Sequence, residues 1–273
     1  MVKDPERPVV NLRRAYFECR YGQLHVRTAF PSTGGFDERT ALVCLHESPR
    51  SSRSFAAFLP AIGTDRSVYA CDTPGCGQSD PPPAPPRLGD YAAAIGDVLD
   101  ALRLREADVF GVGSGAAIAA ELAIARPSGV RSLVLAAVPL GPGGEPWDRE
   151  PWPLPPAADG SHLVREWRRS LAIRGAGEPL AALATGFAEE LGNGPTAAWG
   201  HGATAAWRGD ERLPLVTQRT LLLRTRGPHA EATTEAARLI RAAQLEDLTE
   251  LDAGFLAAAP AAIAGRIRRF LDR

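Results

Sequence analysis

The pentapeptide GVGSG at residues 111–115 lies where a strand-like run, ADVFGV, gives way to a helix-like one, AAIAAELAIARP. A sharp strand-to-helix turn is a place where enzymes expose a nucleophile. Its usual spelling is G-x-S-x-G, with small flanking residues because the turn leaves no room for side chains beside it. Gly111 and Gly115 meet that demand, but the central residue is Gly113 and the only serine is displaced by one, to Ser114. Read as a nucleophile, Ser114 takes Val112 and Ala116 as its flanks and loses register with the strand. Read as a helix residue, it caps the first turn.

Three other stretches carry groups able to move protons. In LHESPRSS (45–52), His46 either braces its loop through ring hydrogen bonds or transfers a proton, and Glu47 stands next to it. A buried Glu47 would serve as general acid or base, because desolvation raises a carboxyl group's pKa towards neutrality; the alternative is an ion pair with Arg50 or Arg53. In CDTPGCGQSD (71–80), Asp72 and Asp80 belong to a turn in which carboxylates hold backbone N–H groups. DGSHLVREW (159–167) reads as a helix start with Asp159 or Ser161 as N-cap, which puts His162 in the first turn, either facing a pocket or packed at a junction. His25, His201 and His229 have no context that singles them out. No histidine pair has metal-ligand spacing and no Gly-rich phosphate cradle appears beyond the elbow itself, so neither metal nor cofactor is expected.

The elements that must position these groups follow from apolar periodicity. Strand-like runs occupy 15–21, 24–30, 40–46, 67–72, 107–112, 130–139, 219–225 and 245–252, and helix-like spacing marks 51–62, 90–104, 231–243 and 257–271. Strands alternating with amphipathic helices predict crossover connections and a mostly parallel sheet. Residues 140–215 break the rhythm with a proline-rich start, helical stretches at 161–173 and 180–191, and all five tryptophans. The expected organisation is an α/β core of residues 1–139 and 216–273 with a helical cap, 140–215, inserted in it. A chain of 273 residues fits one such domain. A net charge of -1 gives no electrostatic case for nucleic acid or an anionic membrane, and no run of about 18 apolar residues spans a bilayer, so a cytoplasmic protein with a small apolar molecule as partner is expected, with a homodimer left open. Cys19, Cys44, Cys71 and Cys76 lack C-x-x-C pairing and read as reduced, structural thiols.

With these motifs in place, the chain resembles the α/β-hydrolase fold along nearly its whole length, specifically the epoxide-hydrolase-like and haloalkane-dehalogenase-like branch with a helical cap. LHESPRSS is similar to that branch's H-G-x-P loop, CDTPGCGQSD to its D-x-P-G-x-G-x-S-D turn, and the segment from GVGSG to VRSLVLAAVP to its elbow, helix and following strand. A smaller subgroup whose loop reads L-H-Q-T-P-R-S, and whose cap carries D-G-S-H-L, is similar too. The resemblance implies a nucleophile where Gly113 stands, and a histidine after the last strand, where DAGFLAAAP (252–260) has Phe255 or a deletion. It also implies an acid after the seventh strand, where RTRGPH (224–229) offers no carboxylate and Asp148 or Glu150 are the stand-ins. It further implies an oxyanion hole made by the backbone N–H groups of Ser48 and Ser114.

The function expected from this pattern is an enzyme of hydrolase architecture that has abandoned the covalent route, since a serine without a base is a weak nucleophile. Removal of the elbow side chain at Gly113 enlarges a cavity walled by Trp147, Trp152, Trp167 and Phe255, with Glu47, His46, His162 and Ser114 as catalytic candidates and Ser48 as oxyanion donor. Cyclisation, isomerisation, dehydration or C–C cleavage of a bulky apolar molecule in secondary metabolism suits such a site. The alternatives are a hydrolase using Ser114 or an activated water, and a binding protein without catalysis.

Overall fold

The computed structural model describes residues 10–32, 38–141, 154–175, 178–252 and 254–273. Eight strands form one sheet: β1 (Val10–Cys19), β2 (Gly22–Pro31), β3 (Arg39–Leu45), β4 (Arg66–Cys71), β5 (Ala107–Val112), β6 (Val130–Ala136), β7 (Arg219–Thr225) and β8 (Ala243–Leu248), in the order β1-β2-β4-β3-β5-β6-β7-β8. The β1–β2 and β2–β4 pairs are antiparallel and all others parallel, as the alternation of strands and helices predicts, with an antiparallel hairpin added at one edge. The hairpin turn passes through Gly22 at φ 111°, a conformation that suits glycine.

Helices cover both faces. A 3-10 turn (Ser52–Phe55), α1 (Phe58–Ile62), α9 (Phe255–Ala258) and α10 (Pro260–Leu271) contribute to one apolar cluster, with Phe55, Phe110, Leu223, Phe255 and Ile267 among its buried members. α2 (Leu88–Ala101), α3 (Ser114–Ala125) and α8 (Ala230–Leu239) contribute to the other. Every residue of α3 from Ser114 to Ala123 is buried. A helix buried on all sides against a sheet and a neighbour needs small residues, which explains why its sequence is mostly alanine. Between β6 and β7 the chain builds the cap: α4 (Ser161–Ala172), α5 (Leu180–Gly192), a 3-10 turn (Gly194–Ala198), α6 (Trp199–Ala205) and α7 (Gly209–Arg212). The last two helices are short and had no periodic signal of their own. All four cysteines are free thiols, three of them buried. Among the described residues no helix is long and apolar enough to cross a membrane.

The register of the central strands sets the site. β3 pairs with β5 so that Leu45 lies opposite Gly111. Two residues beyond each, at the same height above the sheet edge, come Glu47 and Gly113. The loop after β3 is held from below by Phe55, Phe58 and Phe110, whose ring centroids stand 5.6–6.3 Å apart in tilted or edge-to-face contact, an arrangement worth about 0.5–1.5 kcal/mol per pair beyond area burial.

Candidate functional site

The elbow has the expected steric logic. A Cβ on Gly111 would stand 2.3 Å from the Gly115 carbonyl oxygen, and one on Gly115 2.2 Å from the Leu45 oxygen, so neither position accepts a side chain. Gly113 adopts φ 57°, ψ -125°, a backbone state that costs a non-glycine residue about 1–3 kcal/mol. The space into which a Gly113 side chain would project is not empty: a Cβ there would lie 2.8 Å from the Glu47 Cβ and 3.3 Å from its Oε2. The Glu47 carboxyl group therefore fills the apex of the turn, at the N-terminus of α3, the positive end of its dipole.

Glu47 belongs to a charged cluster built between core and cap. Its Oε1 is 3.3 Å from Arg50 Nε; Arg50 Nη1 donates to Glu178 Oε1 at 3.2 Å, and Glu190 Oε1 stands 4.0 Å from Arg50 Nε. One guanidinium thus faces three carboxyl groups. Burial pushes the Glu190 carboxyl up to about 7; Arg50 pulls it down, and Glu47, Glu178 and Glu166 push it further up. The cluster therefore combines a Glu47 carboxyl group paired with Arg50 and a Glu190 carboxyl group that changes protonation near neutral pH, the range in which general acids and bases work best.

The cap is strapped to this loop. Asn193 Nδ2 donates to the Pro49 oxygen at 2.7 Å while its Oδ1 accepts the Gly77 N–H at 2.9 Å, and Thr196 donates to the Gly75 oxygen at 2.6 Å. Ser51 donates to Glu189 Oε2 at 2.8 Å, and Arg53 pairs with the same carboxylate. Beneath, burial pushes Asp72 up but hydrogen bonds from His25 and Ser52, with His46 and Gln78, win and hold it at about 2. It accepts from the Ser52 N–H at 2.6 Å and the Gln78 N–H at 2.9 Å, with His25 Nδ1 at 2.8 Å, which ties the loop after β4 to the one after β3.

The remaining predicted residues take varied places. Ser114 does not cap its helix: its Oγ accepts the Ser48 N–H at 2.7 Å and pairs with the Ser48 Oγ at 3.2 Å. The Ser48 amide, expected to be an open oxyanion donor, is thereby spent inside the protein. No imidazole stands in hydrogen-bond contact with Ser114 among the described residues. His46 is 1 % exposed with both ring nitrogens occupied: Nδ1 donates to the Glu47 oxygen at 2.9 Å and Nε2 accepts the Thr73 N–H at 2.9 Å. Burial lowers its pKa, so the ring is neutral and braces the loop, leaving no nitrogen for proton transfer. His162 Nδ1 accepts the Ala157 N–H at 3.0 Å, a bond local to the start of α4. Trp167 packs edge-to-face on Phe187 at 5.3 Å, within the cap's own core. Phe255 is 1 % exposed in the apolar cluster on one face of the sheet, a core residue and not the substrate contact expected of it. Trp147, Trp152, Asp148 and Glu150 lie outside the described residues. The loops after β7 and β8, where the resemblance places the triad acid and histidine, hold Arg226 and Asp252, paired at 3.3 Å.

Glu178 and Glu190 had escaped notice in the sequence, and His201 had been set aside there for want of context. One signal was available: Glu189 and Glu190 end α5, and carboxylates at the negative end of a helix dipole are disfavoured unless something holds them. His201 sits on α6 next to Gly200, whose hydrogen faces Ser48; burial pushes this imidazole down to about 4, with His229 adding to the shift. A separate open depression of about 510 Å³ touches Leu140, Arg224 and α8. It shares no lining residue with the elbow, and its Arg238 is paired with Glu235 at 2.7 Å, so no reactive group points to chemistry there.

A family model described as alpha/beta hydrolase fold matches residues 40–176, half of the chain. The chain belongs to the α/β-hydrolase fold family. Among curated proteins, a proline iminopeptidase of Heyndrickxia coagulans is 35 % identical over 104 residues, 36 % of either chain. A poly(3-hydroxyalkanoate) depolymerase of Ectopseudomonas oleovorans is 37 % identical over 84 residues, 31 % of this chain and 30 % of that one. The matched segments span about a third of these relatives' length. Among solved structures, the enol-lactonase from Burkholderia xenovorans superposes with a TM-score of 0.78 at 16 % identity, covering 95 % of this chain and 100 % of that one. The bromoperoxidase from Bacillus anthracis does so with 0.78 at 15 %, covering 96 % and 100 %. At such identities the likeness is one of fold.

Proposed function

We propose that this α/β-hydrolase-fold protein is an enzyme that works by carboxylate acid/base chemistry in the crevice between elbow and cap, without a covalent enzyme intermediate. The observation that carries this reading is the Glu47 carboxyl group standing where an elbow side chain would project, 3.3 Å from the Cβ position of Gly113. Glu47 removes or returns a substrate proton, Arg50 holds the carboxylate in place, and Glu190 exchanges the second proton. Positioned carboxyl groups contribute about 10²–10⁴-fold to such steps. Cyclisation, isomerisation, dehydration and C–C cleavage of a small, largely apolar molecule, in secondary metabolism, are the reactions that need this pair and no nucleophile. A soluble compartment and a small-molecule partner are part of the same proposal.

A general probe of this chemistry is 5-nitrobenzisoxazole. A base takes its C3 proton, the C–H electron pair forms the nitrile, the N–O bond breaks and the oxygen leaves as 2-cyano-4-nitrophenolate. The protein is expected to accelerate this elimination, and Glu47→Gln to lower the rate by about 10²-fold while the melting temperature is kept. Equal rates in the two proteins would remove Glu47 from the mechanism. The names of the curated relatives favour a second reading, hydrolysis by a water molecule that the same carboxylate activates. Esterase activity that survives Glu47→Gln and is blocked by fluorophosphonate labelling of Ser114 would overturn both readings in favour of an ordinary serine hydrolase.

A further inference from the structure

The Ser48–Ser114 pair has four donor protons, one on each amide and one on each hydroxyl. The Ser48 amide proton goes to Ser114 Oγ at 2.7 Å, and one hydroxyl proton lies between the two oxygens at 3.2 Å. Two of the four are therefore consumed inside the pair. Because Ser114 Oγ already accepts from the Ser48 amide and donates onward, the protons left over are that of the Ser48 hydroxyl, which no acceptor takes among the described residues, and that of the Ser114 amide, in the first turn of α3 where N–H groups have no intrahelical partner. A hydroxyl at the end of a chain of hydrogen bonds is polarised by those behind it, here an amide and a hydroxyl on the first residue of α3. The cap makes room for this group. A Cβ on Gly200, in α6, would stand 1.8 Å from the Ser48 Oγ, so the helix packs its bare backbone against the hydroxyl.

We infer that the donor offered to a substrate oxygen beside the elbow is the side-chain hydroxyl of Ser48, fed by its own amide through Ser114, in place of the Ser48 backbone amide expected there. The inference rests on the reading that the elbow crevice is the reaction site. Ser48 follows Glu47 in the chain, so as a proton passes to the Glu47 carboxylate, the charge released onto a substrate oxygen meets a donor one residue away.

The test uses the full chain and separates the donor from the base. In Glu47→Gln, which has no base at position 47, binding of 2-cyano-4-nitrophenolate is followed by its absorbance. Adding Ser48→Ala is expected to weaken that binding at least tenfold, and adding Ser114→Ala to weaken it far less, because the hydroxyl remains and the amide is freed. In the protein with Glu47 intact, Ser48→Ala is expected to lower kcat for 5-nitrobenzisoxazole at least tenfold with KM within twofold; circular dichroism and melting temperature check that the variants are folded. Unchanged phenolate binding in the Ser48→Ala double variant, or no binding in any of them, overturns the assignment. Should phenolate binding depend on Ser48 while Glu47→Gln leaves the elimination rate untouched, the donor stands and the proposed base falls.

Discussion

At the residue scale, the exchange of positions 47 and 113 is the central chemical fact. Where the fold elsewhere pairs a small residue after the loop histidine with a side chain at the elbow, this chain carries Glu47 and Gly113, and the volume given up by one is taken by the other. The exchange also relieves strain, because a glycine adopts φ 57° without the cost that a side-chain-bearing residue meets there. Restoring a serine by Gly113→Ser is therefore expected to destabilise the fold by about 1–3 kcal/mol, since its Cβ must displace Glu47 from 2.8 Å. It is also expected to leave the new hydroxyl unlabelled by fluorophosphonates, because His46 has no nitrogen to spare. Thermal melting and mass spectrometry of the labelled protein check the two halves. Rapid labelling at position 113 would mean that a base reaches the elbow by a route the geometry does not contain.

At the element scale, the site exists because the end of α5 is pinned to two loops of the core. Asn193 alone joins Pro49 to Gly77 through both ends of its amide. Leaving those two backbone groups without partners by Asn193→Ala is expected to cost about 1–3 kcal/mol. Because the bonds lie at the cap junction, the loss is local opening of α5 and α6 while the sheet stays closed. Hydrogen exchange should speed at least tenfold in 180–205 and remain unchanged in β3 and β5. Uniform acceleration throughout the chain would show that cap and core open as one unit. Most of these elements were legible beforehand: the runs 107–112 and 219–225 coincide with β5 and β7, and the helical stretches at 161–173 and 180–191 are α4 and α5 to within one residue. The short α6 and α7 were not, because seven and four residues are too few for an apolar period to repeat.

At the scale of the whole molecule, the Glu190 carboxyl group links protonation to stability. Its pKa in the folded protein, about 7, lies above that of an unfolded glutamate. The folded state therefore binds the proton more tightly, and the group costs nothing at low pH. The penalty grows by about 1.4 kcal/mol for each pH unit climbed between the unfolded value and 7, and is complete above that, at a few kcal/mol in all. Glu190→Gln is expected to match the parent near pH 4.5 and exceed it by about 2–3 kcal/mol at pH 8.5, read from denaturant midpoints at the two pH values; the same small difference at both would place the titration elsewhere. The order of strands and helices, the steric need for Gly111 and Gly115 and the missing side chain at Gly113 were all fixed by local pattern, since periodicity and turn sterics act over a few residues. What fills the missing side chain was not. Glu47 reaches the elbow through the pairing of Leu45 with Gly111, Arg50 meets Glu178 and Glu190 because the cap folds back over the loop, and the Ser48 amide is spent on a hydroxyl 66 residues away. Contacts between segments so distant in the chain are decided by sheet register and cap docking, and only the folded molecule carries that information.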